Sequence, residues 1–263
     1  MIVVVKNTFR ENIVQPFALF ALILVTAAVG LVSFGVTLHY ESDMLISINL
    51  FGTPIDQSAA IVRDTLANTA SALLNAALMF LFIMGASFVH VDMLKNPLTG
   101  ISLTGPISRA GLFMGKLVGA WFVGFSIFFV LWGALWLTLF FKSSGQVSAG
   151  LLLGALSLSL EYAVMLSLAA LMAMVVQNST AVAILCLVLY FSIGPLLAST
   201  DHPSVLLRVI STLFPPLAEM QEVSRSSILG HPGDFAAFLR AVPHTLVYLL
   251  AGMYVFHKRD IAG

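Results

Sequence analysis

Few residues in this chain are suited to chemistry, and one of them, Glu161, stands inside a long apolar block. A charge at the centre of a bilayer costs at least about 2.5 kcal/mol on insertion scales, so a carboxylate there must face protein or water. Gly150, Gly154, Ser157 and Glu161 recur at i, i+4, i+7 and i+11, a single helical stripe of small and polar side chains. Asn68, Ser71 and Asn75 make a comparable stripe upstream. Such stripes suit close helix packing and equally the wall of a pathway. Two readings of Glu161 stand side by side. Either it lines a translocation route or a dimer seam, or it is a protonated side chain sharing hydrogen bonds with a neighbouring helix.

Patterns for bond-making chemistry are missing. No G-x-x-x-x-G-K-[ST] phosphate loop occurs, because Gly111 to Lys116 has the wrong spacing and lacks a hydroxyl residue after the lysine. Neither H-E-x-x-H nor G-x-S-x-G is present, and the six histidines are scattered. These absences argue against a nucleotide, metal or cofactor site on this chain. His90, beside Asp92, reads as an interfacial side chain, and His244, beside Pro243, as a local cap. Phe125, Phe128 and Phe129 read as packing or lipid-facing surface. The single cysteine, Cys186, excludes an intramolecular disulfide, and a net charge of zero argues against nucleic acid as a partner.

The elements that carry these residues are membrane spans. Of 263 residues, 59% are hydrophobic and only 9% charged, too few charges to cover a soluble domain. Mean hydropathy is +1.02. The apolar blocks predict an all-α fold of six transmembrane helices in one domain: Ile13 to Val36, Leu66 to Val91, Leu117 to Phe141, Val147 to Val176, Ala181 to Ala198 and Val242 to Phe256. The first is too long for a signal-peptide core, so it is expected to stay. Trp121, Trp132 and Trp136 are placed as interfacial anchors would be. An even number of spans puts both termini on one side, with Lys6, Arg10, Lys95, Arg109, Lys116, Lys258 and Arg259. The other side holds the smaller set Arg63, Lys142, Arg208, Arg225 and Arg240. Basic residues favour the cytoplasm, so both termini are expected there. The external segment 199–241 is expected to form short interfacial or re-entrant helices.

The joint between the second and third spans carries the most specific signal. Asp92 is followed by Leu103 to Arg109, reading L-T-G-P-I-S-R with Pro106 and Ser108 at its centre, and then by Gly115-Lys116-Leu117-Val118-Gly119. Phe256 to Ile261 reads F-H-K-R-D-I, and a short charged segment, Lys6 to Glu11, precedes the first span. This set resembles the ABC-2 type (type V exporter-like) permeases, the membrane subunits of ABC exporters. Those have an acidic residue after the second span, an L-x-x-P-[VI]-S-R segment, a G-K-x-x-G, and a closing F-x-[RK]-R-D-[IL]. Asn96 to Leu98 departs from the Gly-Thr pair that members usually carry.

The resemblance implies a cytoplasmic coupling helix bearing Asp92, Pro106, Ser108, Arg109 and Lys116, docked on a separate ATPase. It also implies a second permease subunit, identical or paralogous, and a dimer of cytoplasmic ATPase subunits that holds ATP and Mg. The chain would then sit in the cytoplasmic (inner) membrane and export its cargo. The plainer reading of Arg109 and Lys116 is positive-inside anchoring. Rival functions are a secondary transporter or channel working through Glu161, and a non-transport membrane scaffold.

Overall fold

A computed structural model describes residues 2–13, 16–41, 44–54, 59–95, 108–142, 149–193, 195, 212–228 and 233–258. Helices dominate. In chain order they are α1 (Ile2–Ile13), α2 (Pro16–Gly35), α3 (Ala59–Lys95), α4 (Arg109–Lys142), α5 (Gly150–Val176), α6 (Ser179–Val188, continued by a π-turn at Leu189–Ile193), α7 (Leu217–Ile228) and α8 (Ala236–Lys258). Five of them contain stretches long and apolar enough to cross a membrane: α2, Ala72–Lys95 of α3, α4, α5 and α8. Large apolar side chains stay exposed around the bundle, among them Phe20, Leu31, Val247 and Leu250. In a bilayer these face acyl chains, which solvate them as well as a core would.

The fifth expected span falls on α6, whose described part is 15 residues long. At 1.5 Å per residue this reaches only about 22 Å, short of the roughly 30 Å hydrocarbon core. The described structure thus supports five spans where the hydropathy predicts six.

Helix limits follow local chemistry more than hydropathy. Pro16 opens α2, where its missing N–H costs nothing. Ser108 caps α4, its Oγ accepting the Gly111 N–H at 3.0 Å. The helix therefore starts at Arg109, eight residues before the apolar block expected from Leu117. Between α5 and α6, Gln177 takes a left-handed conformation (φ 56°), and the Asn178 side chain accepts from Ala181 N at 3.1 Å. Two residues suffice to turn the chain there.

The loop after α2 departs from the all-α expectation. It forms three antiparallel strands in the order β1 (Val36–Glu41), β2 (Met44–Leu50), β3 (Thr53–Pro54). Phe51 and Gly52 both have positive φ, 49° and 81°, as a tight I′ hairpin turn requires. Phe51 is an unusual occupant of that conformation. Its amide donates to Gly35 O at 2.7 Å and its ring lies where a side chain at 35 would be, so Gly35 makes the seat. Lys142 Nζ donates to Val36 O, tying the sheet to the end of α4.

The core is organised around α5. Of its most apolar 18-residue window, 67% is buried, against 22–39% in the other four crossing helices. It packs on α3, α4, α7 and α8. Several hydroxyl residues within the helices donate back to their own turns, as Ser87 to Ile83 O, Ser126 to Phe122 O and Thr138 to Ala134 O. This satisfies them where water is absent. Trp121 and Trp132, expected as interfacial anchors, turn inward: Trp121 Nε1 donates to Ser159 O at 2.9 Å, and Trp132 is buried.

Candidate functional site

Two polar regions stand out, one at an end of the bundle and one inside it. The first gathers the basic residues. Lys116, two turns into α4 and just before its apolar block, meets Glu11 of α1 at 2.5 Å. One turn further on, Gly119 lets α1 lie directly on α4, because a Cβ there would fall 2.6 Å from Thr8 Cβ and 3.0 Å from Val5 O. Arg109 Nη1 donates to the backbone oxygen of His257 at 2.9 Å. A cation at the last carbonyls of a helix complements the negative end of its dipole, so Arg109 caps α8 from α4. Phe113 and Phe256, both fully buried, pack with centroids 5.9 Å apart. Gly252 faces the same Phe113 ring.

Three segments far apart in sequence therefore meet in one place: Lys6 to Glu11, Ser108 to Gly119 and Phe256 to Lys258. Asp92 lies exposed in the last turn of α3. Pro106, with the other residues from 96 to 107 that would form a coupling helix, falls outside the described residues, as do Arg259 to Ile261. His90, expected at the interface, is instead fully buried, with Nδ1 2.8 Å from Ala86 O and Nε2 without a partner. Among the described residues no group of three acidic, histidine or cysteine side chains is placed to hold a metal.

The second region surrounds Glu161, which has no exposure at all. It lies 11 residues from the start of α5 and 15 from its end, about 17 and 22 Å along the helix. Oε1 accepts the Tyr190 hydroxyl at 2.5 Å, and Oε2 accepts Ser224 Oγ at 3.1 Å. The carboxyl thus bonds the π-turn of α6 and the helix α7, both within the same chain. None of the ion pairs among the described residues involves it.

The stripe leading to Glu161 faces α7. Gly154 is a notch for Ile228, whose Cγ1 would lie 2.2 Å from a Cβ at 154. Ser157 is buried and donates to Leu153 O at 2.9 Å, within its own helix. Asn75 is half-buried on α3, with Oδ1 unpartnered. The side chains of Asn68 and Ser71 lie outside the described residues.

Glu161, Arg109 and Lys116 stand out in the sequence; Tyr190 and Ser224, which bond Glu161, and the His257 carbonyl, which Arg109 meets, do not. The available signal for Tyr190 was weak: a hydroxyl on an apolar block, just before the helix-disturbing pair Gly194 and Pro195. Ser224 and Ser227 recur at helical spacing in a segment whose placement hydropathy does not determine.

The class these features define is a multi-pass, mostly helical membrane protein with a tied basic end and a buried carboxyl cluster. No protein-family model matches the chain, and no curated protein matches it.

Proposed function

We propose that this chain is the permease subunit of an ATP-binding cassette exporter in the cytoplasmic membrane, with six spans and both termini cytoplasmic. The observation that carries the reading is the convergence at the basic end. The segments bearing the ABC-2 resemblance (the charged amino-terminal helix, the Ser-Arg and Gly-Lys-x-x-Gly stretch, and the closing aromatic-basic run) touch one another through Lys116–Glu11, Gly119–Thr8, Arg109–His257 and Phe113–Phe256.

A subunit without its own phosphate loop must receive work from one that has it. A push on the segment before Ser108 enters α4 through a capped first turn. It passes to α1 through the Lys116 ion pair and the Gly119 contact, and to α8 through Arg109. In this reading Arg109 acts by joining helices as much as by touching the ATPase. ATP and Mg belong to the partner ATPase dimer, and a second permease subunit completes the pathway.

The test is purification of the chain from its own membrane with whatever soluble ATPase it retains, followed by ATPase assays of the complex. Arg109→Glu is expected to cut coupled activity at least about tenfold while the thermal midpoint of the permease moves little, since an exposed polar tie contributes only about 1 kcal/mol. Recovery of the chain without any ATPase, or full coupling in Arg109→Glu, would overturn the proposal. A second reading, an ion-driven transporter, draws on the burial of Glu161 in a helix that crosses the bundle. Nucleotide-independent flux in liposomes, abolished in Glu161→Gln, would favour it.

A further inference from the structure

The reading above leaves the Glu161 cluster and α7 without a task, and their construction is unusual. Tyr190 reaches Glu161 from a π-turn, Leu189–Ile193, inserted at the end of α6. A π-turn holds one extra residue, so converting it to α-helix shifts the register by about 100° and withdraws the hydroxyl. Pro195 has no amide hydrogen to give to a carbonyl behind it. Gln221 of α7 approaches one such carbonyl, Nε2 lying 3.5 Å from Tyr190 O. One turn of α6 thus donates to α5 and faces a donor from α7.

The helix it helps to hold is weak by itself. α7 has 12 residues and carries Glu219, Gln221, Glu222 and Arg225, and an isolated helix of that length is marginal in water. Its hold comes from the bundle: half of its residues are buried, chiefly against α5, with Leu217 in the main core. Ser224 bonds Glu161, Ile228 fills the Gly154 notch, Met220 and Val223 pack with Val164, Ala237 and Ala241, and an exposed Glu219–Arg240 pair joins α8. Apart from Val164, the residues of α5 named behind α7 are small or polar (Gly154, Ser157 and Glu161), and on α7 itself Ser227 Oγ is buried without a hydrogen-bond partner.

We propose that α7 is a separately releasable element and that Glu161, Tyr190 and Ser224 are its latch, opened when the π-turn at 189–193 becomes α-helical. Release swings α7 off α5 and uncovers a strip made of Gly154, Ser157 and Glu161. The device does not depend on what drives it, so it stands or falls separately from the ATPase reading.

The test uses the full chain in lipid nanodiscs and follows amide hydrogen exchange. In Tyr190→Phe, exchange across 217–228 should rise about tenfold, the ratio that corresponds to losing one buried hydrogen bond, while α4 keeps its wild-type rates. Glu161→Gln, which keeps an acceptor, should give a smaller rise. A disulfide supplies the opposite arm. A Cβ at 154 lies 3.4 Å from Ile228 Cβ, close to the roughly 3.8 Å mean of disulfides, so Gly154→Cys with Ile228→Cys in a Cys186→Ala background should cross-link. Oxidation of that pair should suppress the extra exchange in Tyr190→Phe, and reduction should restore it. Exchange in α7 that is unchanged in Tyr190→Phe, or that rises only together with α4, would overturn the latch. Purification without an ATPase would remove the function proposed above and leave this result intact.

Discussion

At the basic end, Lys116 and Glu11 meet with 21% and 58% of their side chains exposed, whereas Glu161 meets Tyr190 and Ser224 with nothing exposed. Both regions join three elements through a few polar contacts. They differ in what replaces a broken contact. Water and salt compete for Lys116 and Glu11, so either can be lost at small cost. Nothing competes for Glu161: loss of either hydroxyl leaves a carboxyl oxygen unpaired, and loss of the carboxyl strands two hydroxyls in a dry interior. The exposed region suits a joint that is readily made and remade. The buried one suits a part with discrete states.

The sharpest way to break this comparison is Glu161→Ala. It leaves the Tyr190 and Ser224 hydroxyls unpaired and opens a void, and it should lower stability by about 2–4 kcal/mol in reversible unfolding from detergent. Glu161→Gln should cost about 1 kcal/mol, because an amide both accepts and donates. Equal losses in the two variants would show that the carboxyl fills space and does not bond.

Next in size is Gly119→Leu. The new side chain meets Thr8 and the Val5 carbonyl, so α1 must leave α4 or the packing must strain by about 1–3 kcal/mol. Proteolysis of the amino-terminal segment should accelerate in this variant, and an α1 as protected as in wild type would contradict a rigid tie. Smallest is the ion pair itself. A double-mutant cycle on Glu11→Ala and Lys116→Ala should give a coupling of about 0.5 kcal/mol that shrinks with salt. A coupling above about 2 kcal/mol would place this pair in the same energetic class as the Glu161 cluster.

How far the fold could be read beforehand varies along the chain. The apolar blocks of α2, α4 and α5 announce themselves, because burial in lipid depends on a local sum over about 20 residues. Helix starts were less legible. Ser108 begins α4 well before its apolar block, since a cap acts through one hydroxyl that hydropathy does not weigh. The strand-forming loop 36–54 was not anticipated, because its seat is Gly35 under the Phe51 ring, a contact between residues that look unremarkable apart. α7 was expected only as one of several short helices in segment 199–241, without its place against α5.

For the candidate sites the division is similar. Glu161 and its stripe of small residues could be picked out from spacing alone, and so could Arg109 and Lys116. Their surroundings could not. The Trp residues at the ends of an apolar block look like interfacial anchors, yet Trp132 is buried in the core, because either location satisfies an amphipathic ring about equally well.

By itself the sequence determined the solvent of this protein, the helical character of its spans and the small number of positions where polarity must be accommodated. All of these follow from residue type summed over neighbours along the chain. Only the tertiary structure decided which groups accommodate that polarity: Tyr190 and Ser224, 29 and 63 positions beyond Glu161, and the His257 carbonyl, 148 positions beyond Arg109. Such pairings depend on helix rotations of a few tens of degrees and on notches one methyl deep, which packing selects among arrangements of nearly equal hydropathy.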